Sequence, residues 1–211
     1  MLDNLFGIIW SIPAILIAIT IHEYAHGFIA YYHGDPTAKL AGRLTLNPFA
    51  HLDPVGTLML LLFRIGWARP VPVNYNNLNN PRMDMIKVSL AGPLSNIVVA
   101  FLFSLLLRAN NFIFRNVTFN SFFWFRLVQG WFTLLHTGIF INIALAFFNL
   151  IPIPPLDGHH IVSGLLPVHL ARQYNKINQT YGMLIILFLF ISGIIRNIIL
   201  PIVDYIYRIF I

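Results

Sequence analysis

Long apolar runs dominate the pattern of this chain, and its polar residues collect in the gaps between them. Four runs reach the roughly 20 residues that a helix needs to cross a bilayer. They cover about residues 5–31, 86–107, 127–151 and 181–200, the last with an apolar tail to residue 211. A fifth run, residues 55–63, is too short for a full span and reads as re-entrant or as a partial helix buried in protein. The gaps at 34–54 and 68–81 are rich in Gly, Pro and Asn. In the second gap, Arg69-Pro70-Val71-Pro72-Val73-Asn74 alternates like an extended edge strand, where proline is tolerated. Non-helical backbone at membrane depth must find water or protein for its amides, so these pieces imply a polar cavity open toward one face. Residues 161–176, interrupted by Pro167, read as interfacial. The predicted fold class is an all-α polytopic membrane protein with four to six transmembrane helices. Short membrane-associated β or re-entrant segments are expected between the first and second full spans. One domain is expected over residues 1–211, a core over about 5–165 and C-terminal helices over 166–211.

Composition sharpens that picture. The chain is 58% hydrophobic and only 9% charged, against about 25% charged in a soluble domain, so it cannot cover its surface with solvated side chains. There is no cysteine, which excludes disulfides and thiolate ligands; any metal must be held by His, Asp or Glu. The net charge of +6 is scattered between apolar segments, which fits a positive-inside bias rather than nucleic-acid binding. With the N-terminus outside, eight basic residues lie inside: Lys39, Arg43, Arg64, Arg69, Arg82, Lys87, Arg172 and Lys176. Five lie outside: Arg108, Arg115, Arg126, Arg196 and Arg208. The expectation is a multi-pass protein of the cell (inner) membrane with its polar motifs toward the cytoplasm. The first apolar run has no basic flank before it, so it is expected to stay in the mature protein.

The chain holds a single glutamate, inside the first apolar run, in His22-Glu23-Tyr24-Ala25-His26. An ionisable group at bilayer depth costs roughly 2.5–3.5 kcal/mol on insertion scales, which marks it as functional. His22 and His26, four residues apart, project from one helix face and can bind one metal together. Glu23 is turned away from the pair and suits a general base acting on water. His-Glu-x-x-His on a helix is a zinc-hydrolase signature for these reasons. A catalytic zinc needs a third protein ligand. Asp157 stands out for it, carried back to the membrane edge by the prolines of Asn149-Leu-Ile-Pro-Ile-Pro-Pro-Leu-Asp157-Gly158, with His159 and His160 as rivals. Asn149 either donates to a developing oxyanion or makes an interhelical hydrogen bond. His51 and Asp53 form a second polar cluster, either supporting a metal ligand or, by preference, anchoring a loop. Gly92 permits close helix approach, and Asn96 can bond across helices.

These pieces together resemble the site-2 protease family of intramembrane zinc metalloproteases. The matching motifs are His22-Glu23-x-x-His26, Asn47-Pro-x-x-His51-x-Asp53-Pro-x-Gly56, Ala91-Gly-Pro-x-x-Asn96, and Asn149-x-x-Pro152 through Leu156-Asp157-Gly158. They occur in the family's order over about residues 15–165. The resemblance implies one zinc on His22, His26 and Asp157, Glu23 activating water, and Asn149 holding substrate or stabilising the intermediate. It also implies the compact branch that lacks PDZ and CBS domains. His159 departs from the second glycine that many members carry there.

The function expected is zinc-dependent hydrolysis of peptide bonds in or near transmembrane segments. The expected partners are a transmembrane protein or peptide substrate and the lipid bilayer. A helical substrate must first unwind to free its carbonyls. Arg69, Pro70, Val71, Pro72, Val73 and Asn74 can then offer it a strand edge, and with Asn96 they are the expected substrate-binding residues. The alternatives are an intramembrane metal-ion transporter or sensor, and a catalytically inactive scaffold. Transport needs polar residues spaced along whole spans, whereas here they cluster at one depth.

Overall fold

A computed structural model of the chain describes residues 2–63, 66–114, 117 and 121–211. Arg64 and Arg115, counted above for orientation, lie outside the described residues. Three long helices form the centre: α1 (Leu2–Tyr32), α4 (Pro81–Phe114) and α5 (Phe122–Asn149). Along α1, Ala14, Ala18, His22, His26 and Ala30 recur every fourth residue, and all are buried. Residues four apart stack on one helix face, so α1 turns this stripe toward its neighbours. Its small residues let backbones approach closely. Gly130 of α5 does the same, since a Cβ there would lie 2.1 Å from the Trp10 ring. Leu107, Leu134, Leu135, Ile139 and Ile143 fill the centre between α4 and α5. Lipid tails are as apolar as these side chains, so close fit and interhelical hydrogen bonds hold such a bundle. Asn96 Nδ2 of α4 supplies two of them, donating to Asn142 Oδ1 of α5 at 2.8 Å and to the Ala18 carbonyl of α1 at 3.2 Å.

Between α1 and α4 the chain makes α2 (Thr37–Leu40), a 3-10 turn at Pro48–Ala50, α3 (Pro54–Phe63) and a second 3-10 turn at Tyr75–Asn77. The short apolar run is thus a ten-residue helix, about 15 Å long at 1.5 Å per residue, half the thickness of a hydrocarbon core. The expected β segment is reduced to one antiparallel bridge, Leu52 with Ala68. Arg69–Asn74 belongs to no strand among the described residues; Pro70 and Pro72 have no N–H to put into a ladder.

After α5, the chain forms α6 (Asp157–Leu165), which lies against α4, and then α7 (Val168–Ile191) and α8 (Ile194–Phe210). Pro167 separates α6 from α7, as its missing N–H and fixed φ favour at a helix start. The fourth apolar run does not form one straight span. It bends by 71° between α7 and α8, at Gly193, whose φ of +74° is left-handed. Hydropathy does not register such a break, because glycine there is conformational rather than polar. Among the described residues, three helices are long and apolar enough to cross a membrane, or four if the bent pair is one span; only the second count reaches the expected four to six. Val203 of α8 is fully buried against the bundle. Arg108 of α4 donates to the final carbonyls of α8, Ile209 O at 3.2 Å and Phe210 O at 3.3 Å, groups that a helix end otherwise leaves unpaired.

Candidate metal centre

The site begins with the tautomers of two histidines. Asn96 donates both its Nδ2 hydrogens, to Ala18 and Asn142, so its oxygen must face His22. His22 Nδ1–H therefore donates to Asn96 Oδ1, at 2.5 Å. Asn142 in turn donates to the Gly138 carbonyl at 2.8 Å, so the whole chain of bonds is directed away from the site. His26 Nδ1–H donates to the Val88 carbonyl at 2.7 Å. A carbonyl can only accept, so in the neutral rings both Nε2 atoms are left as bare lone pairs.

These two lone pairs point at one another across 3.0 Å. Asp157 Oδ2 lies 3.3 Å from each of them, although α6 is more than a hundred residues further along the chain. That oxygen is buried and makes no hydrogen bond. Three buried acceptors converging without a donor is a costly arrangement that a cation resolves. Tetrahedral bonds of about 2.0–2.1 Å place two ligand atoms about 3.3–3.4 Å apart, close to the spacings observed. Two imidazoles and a carboxylate are also the donor set of known catalytic zinc sites. Among the described residues they are the only His, Cys, Asp and Glu cluster of this kind.

Room for an ion is made by Gly92 on α4. A Cβ there would lie 2.4 Å from His26 Nε2 and 2.7 Å from His22 Nε2. Gly158, next to Asp157, faces the chain coming out of α5; a Cβ on it would lie 2.2 Å from the Leu150 carbonyl. The Asp-Gly pair therefore lets α6 start hard against the end of α5.

Glu23 stands outside the donor triad, half-buried. Its Oε2 accepts a hydrogen bond from the Val71 N–H at 2.8 Å. The segment around Val71 is fastened at further points. Arg69 N–H donates to the His51 carbonyl at 2.9 Å, Arg43 Nη2 donates to the Arg69 carbonyl at 2.5 Å, and Asn74 N–H donates to Asp35 Oδ2 at 2.6 Å. The N–H groups of Arg69, Val71 and Asn74 are thus committed to the protein itself. A substrate strand would find the Val73 N–H and backbone carbonyls on this segment, fewer donors than a full strand edge offers.

The other expected residues divide. Asn96, expected against substrate, is fully buried and holds His22 instead. Asn149 Nδ2 donates one of its two hydrogens back to the Leu145 carbonyl of its own helix at 3.0 Å, which leaves the second for an oxyanion. His159 stacks on Tyr174, ring centroids 5.1 Å apart, and His160 is exposed; neither joins the triad. His51 is fully buried with Nε2 bonded to the Thr45 carbonyl, and Asp53 Oδ1 caps the Gly56 N–H at 2.7 Å, the loop-anchoring alternative. Sequence reasoning missed Asn142, Arg43 and the Val88 carbonyl. An asparagine inside an apolar run was a usable signal for the first. A backbone carbonyl leaves no mark in a sequence.

Residues 10–192 match the family described as Peptidase family M50. YwhC of Bacillus subtilis (strain 168), provisionally named a zinc metalloprotease, is 37% identical over 92% of this chain and 86% of its own. Rip2 of Mycolicibacterium smegmatis, provisionally named likewise, is 30% identical over 84% of this chain and 64% of its own. The zinc metalloprotease MJ0392 of Methanocaldococcus jannaschii is 22% identical over 94% of this chain and 48% of its own. This chain therefore spans less than two thirds of the last two. No solved structure matches it. With a family match over most of its length, and the His-Glu-x-x-His helix meeting the Asp157 turn at one donor triad, the chain belongs to peptidase family M50.

Proposed function

We propose that the chain is a zinc-dependent intramembrane endopeptidase that cuts peptide bonds in or near the transmembrane segments of membrane-protein substrates. The observation that carries this reading is the convergence of His22 Nε2, His26 Nε2 and Asp157 Oδ2 beside Glu23. Those three residues would hold one zinc. When bound, the ion supplies a Lewis acid and makes water acidic enough to attack a carbonyl near neutral pH. Glu23 Oε1 makes no hydrogen bond with the described residues, so it can accept the proton from the attacking water and pass it to the departing amine. Asn96 and Val88 keep both imidazoles in the one tautomer that can ligate. The excess of basic residues on the loops beside the motifs supports a cytoplasmic site and an N-terminus outside, in the cell membrane.

A transport or sensing role draws no support from the fold. Among the described residues His22, His26 and Asp157 are the only cluster of His, Asp or Glu able to hold an ion, so no second ion site follows along the spans. The test is metal analysis of purified protein with a cleavage assay on a transmembrane peptide. Glu23→Gln is expected to keep one zinc per chain and lose cleavage. Full turnover by that variant would remove the general-base role, and absence of bound zinc in the wild type would remove the whole reading.

A further inference from the structure

We infer that the extended strap over residues 69–74 is the positioning device of the general base: the Val71 N–H holds Glu23 Oε2, and so decides which oxygen of the carboxylate faces the metal centre. The inference rests on Glu23 acting as general base. Proline has no N–H, so in Pro70-Val71-Pro72 the only donor is Val71, and it goes to Glu23 at 2.8 Å. The register is set twice over. One turn beyond Glu23 on α1 stands Gly27, where a Cβ would come within 3.2 Å of Val71 Cγ1. The valine side chain is buried in that gap. The strap is in turn tied down on both flanks, by His51 and Arg43 at Arg69 and by Asp35 at Asn74.

The arrangement has a chemical use. Glutamate has three rotatable side-chain bonds, and a base must sit within about 2.6–3.2 Å of the atom whose proton it takes. A backbone donor on a fastened strap restrains one oxygen and leaves Oε1 for water. It also gives the buried motif around His51 a part in the chemistry, because that loop anchors the strap that holds the base. Arg43, buried in the same place, donates to the strap through Nη2 while its Nε finds no hydrogen-bond partner.

The test uses the whole protein with a transmembrane peptide substrate, reading kcat, KM and zinc content separately. The informative change replaces the amide at residue 71 by an ester, with the hydroxy-acid analogue of valine, which deletes the N–H and keeps the side chain. Val71→Pro makes the same deletion, and Val71→Ala keeps the N–H. The ester and Val71→Pro are expected to lower kcat by about tenfold to a hundredfold relative to Val71→Ala, as a misplaced reacting group does, with KM and zinc content following Val71→Ala. An ester variant with the kcat of wild type overturns the inference. So does a loss carried wholly by KM, or a Val71→Ala variant as slow as the ester. If Val71→Pro does not fold, the ester still decides. Glu23→Gln separates the two readings: an inactive Glu23→Gln beside a fully active ester removes only the strap's role, whereas an active Glu23→Gln removes the general base itself.

Discussion

At the scale of single residues, the site is a problem in hydrogen placement. Nothing in His-Glu-x-x-His says which ring nitrogens are free; Asn96 and the Val88 carbonyl decide it by taking both Nδ1 hydrogens. Partners of this kind are worth about 10–100-fold in metal affinity. Asn96→Ala is accordingly expected to weaken zinc binding by about that factor while the ligands stay in place, measured by competition with a chelator. Gly92→Ala acts by volume instead. Its methyl group would sit 2.4 Å from His26 Nε2, and zinc is expected to be lost at stoichiometric concentrations even though alanine suits a helix better than glycine. Retention of zinc by Gly92→Ala would show that α4 can retreat from the imidazoles.

At the scale of elements, the informative pieces are those that are neither spans nor strands. Asp35 is fully buried after α1 and accepts from Thr37, Asn77 and the Asn74 N–H. Burial pushes its carboxyl up, and these hydrogen bonds outweigh it, holding the group below the ordinary carboxylate range. A depressed carboxylate contributes stability that is present above its unfolded value, about 3.9, and is lost as pH falls through the lower folded value. Wild-type stability should therefore decline in acid across that window. Asp35→Asn should start lower and show a shallower decline, measured by thermal unfolding as a function of pH. An unchanged acid limb would mean the cluster does not hold the strap.

At the scale of the whole molecule, three long helices meet at a stripe of small residues, and the centre lies where α1, α4 and α6 converge. Orientation can be read directly, because the chain has no cysteine of its own. Leu40, 82% exposed, and Phe122, 78% exposed, lie at opposite ends of the long helices. Leu40→Cys is expected to react with a membrane-impermeant thiol reagent only from the cytoplasmic side, and Phe122→Cys only from outside. The reverse labelling would invert the topology proposed here.

The long runs, the lone glutamate and the proline-rich approach to Asp157 were legible in the sequence because each rests on local physics. Helix length must match a bilayer, an acid in lipid is expensive, and prolines as dense as Pro152, Pro154 and Pro155 leave too few N–H donors for a helix to continue. The family motifs added which distant residues belong together. The bend at Gly193 was not legible, since a left-handed glycine carries no hydropathy signal. That Asn96 can bond across helices was legible, but not that it holds His22, because an amide in a helix looks the same whether it faces substrate or a ligand's back. The tautomers, the Val71 donor and the gap at Gly92 depend on atoms of one element meeting atoms of another, many of them backbone atoms common to every residue. The one-dimensional chain thus determined which chemical groups are available and how long its helices are. Only the tertiary structure decided which lone pairs face inward, because that is settled by what stands on the far side of each ring.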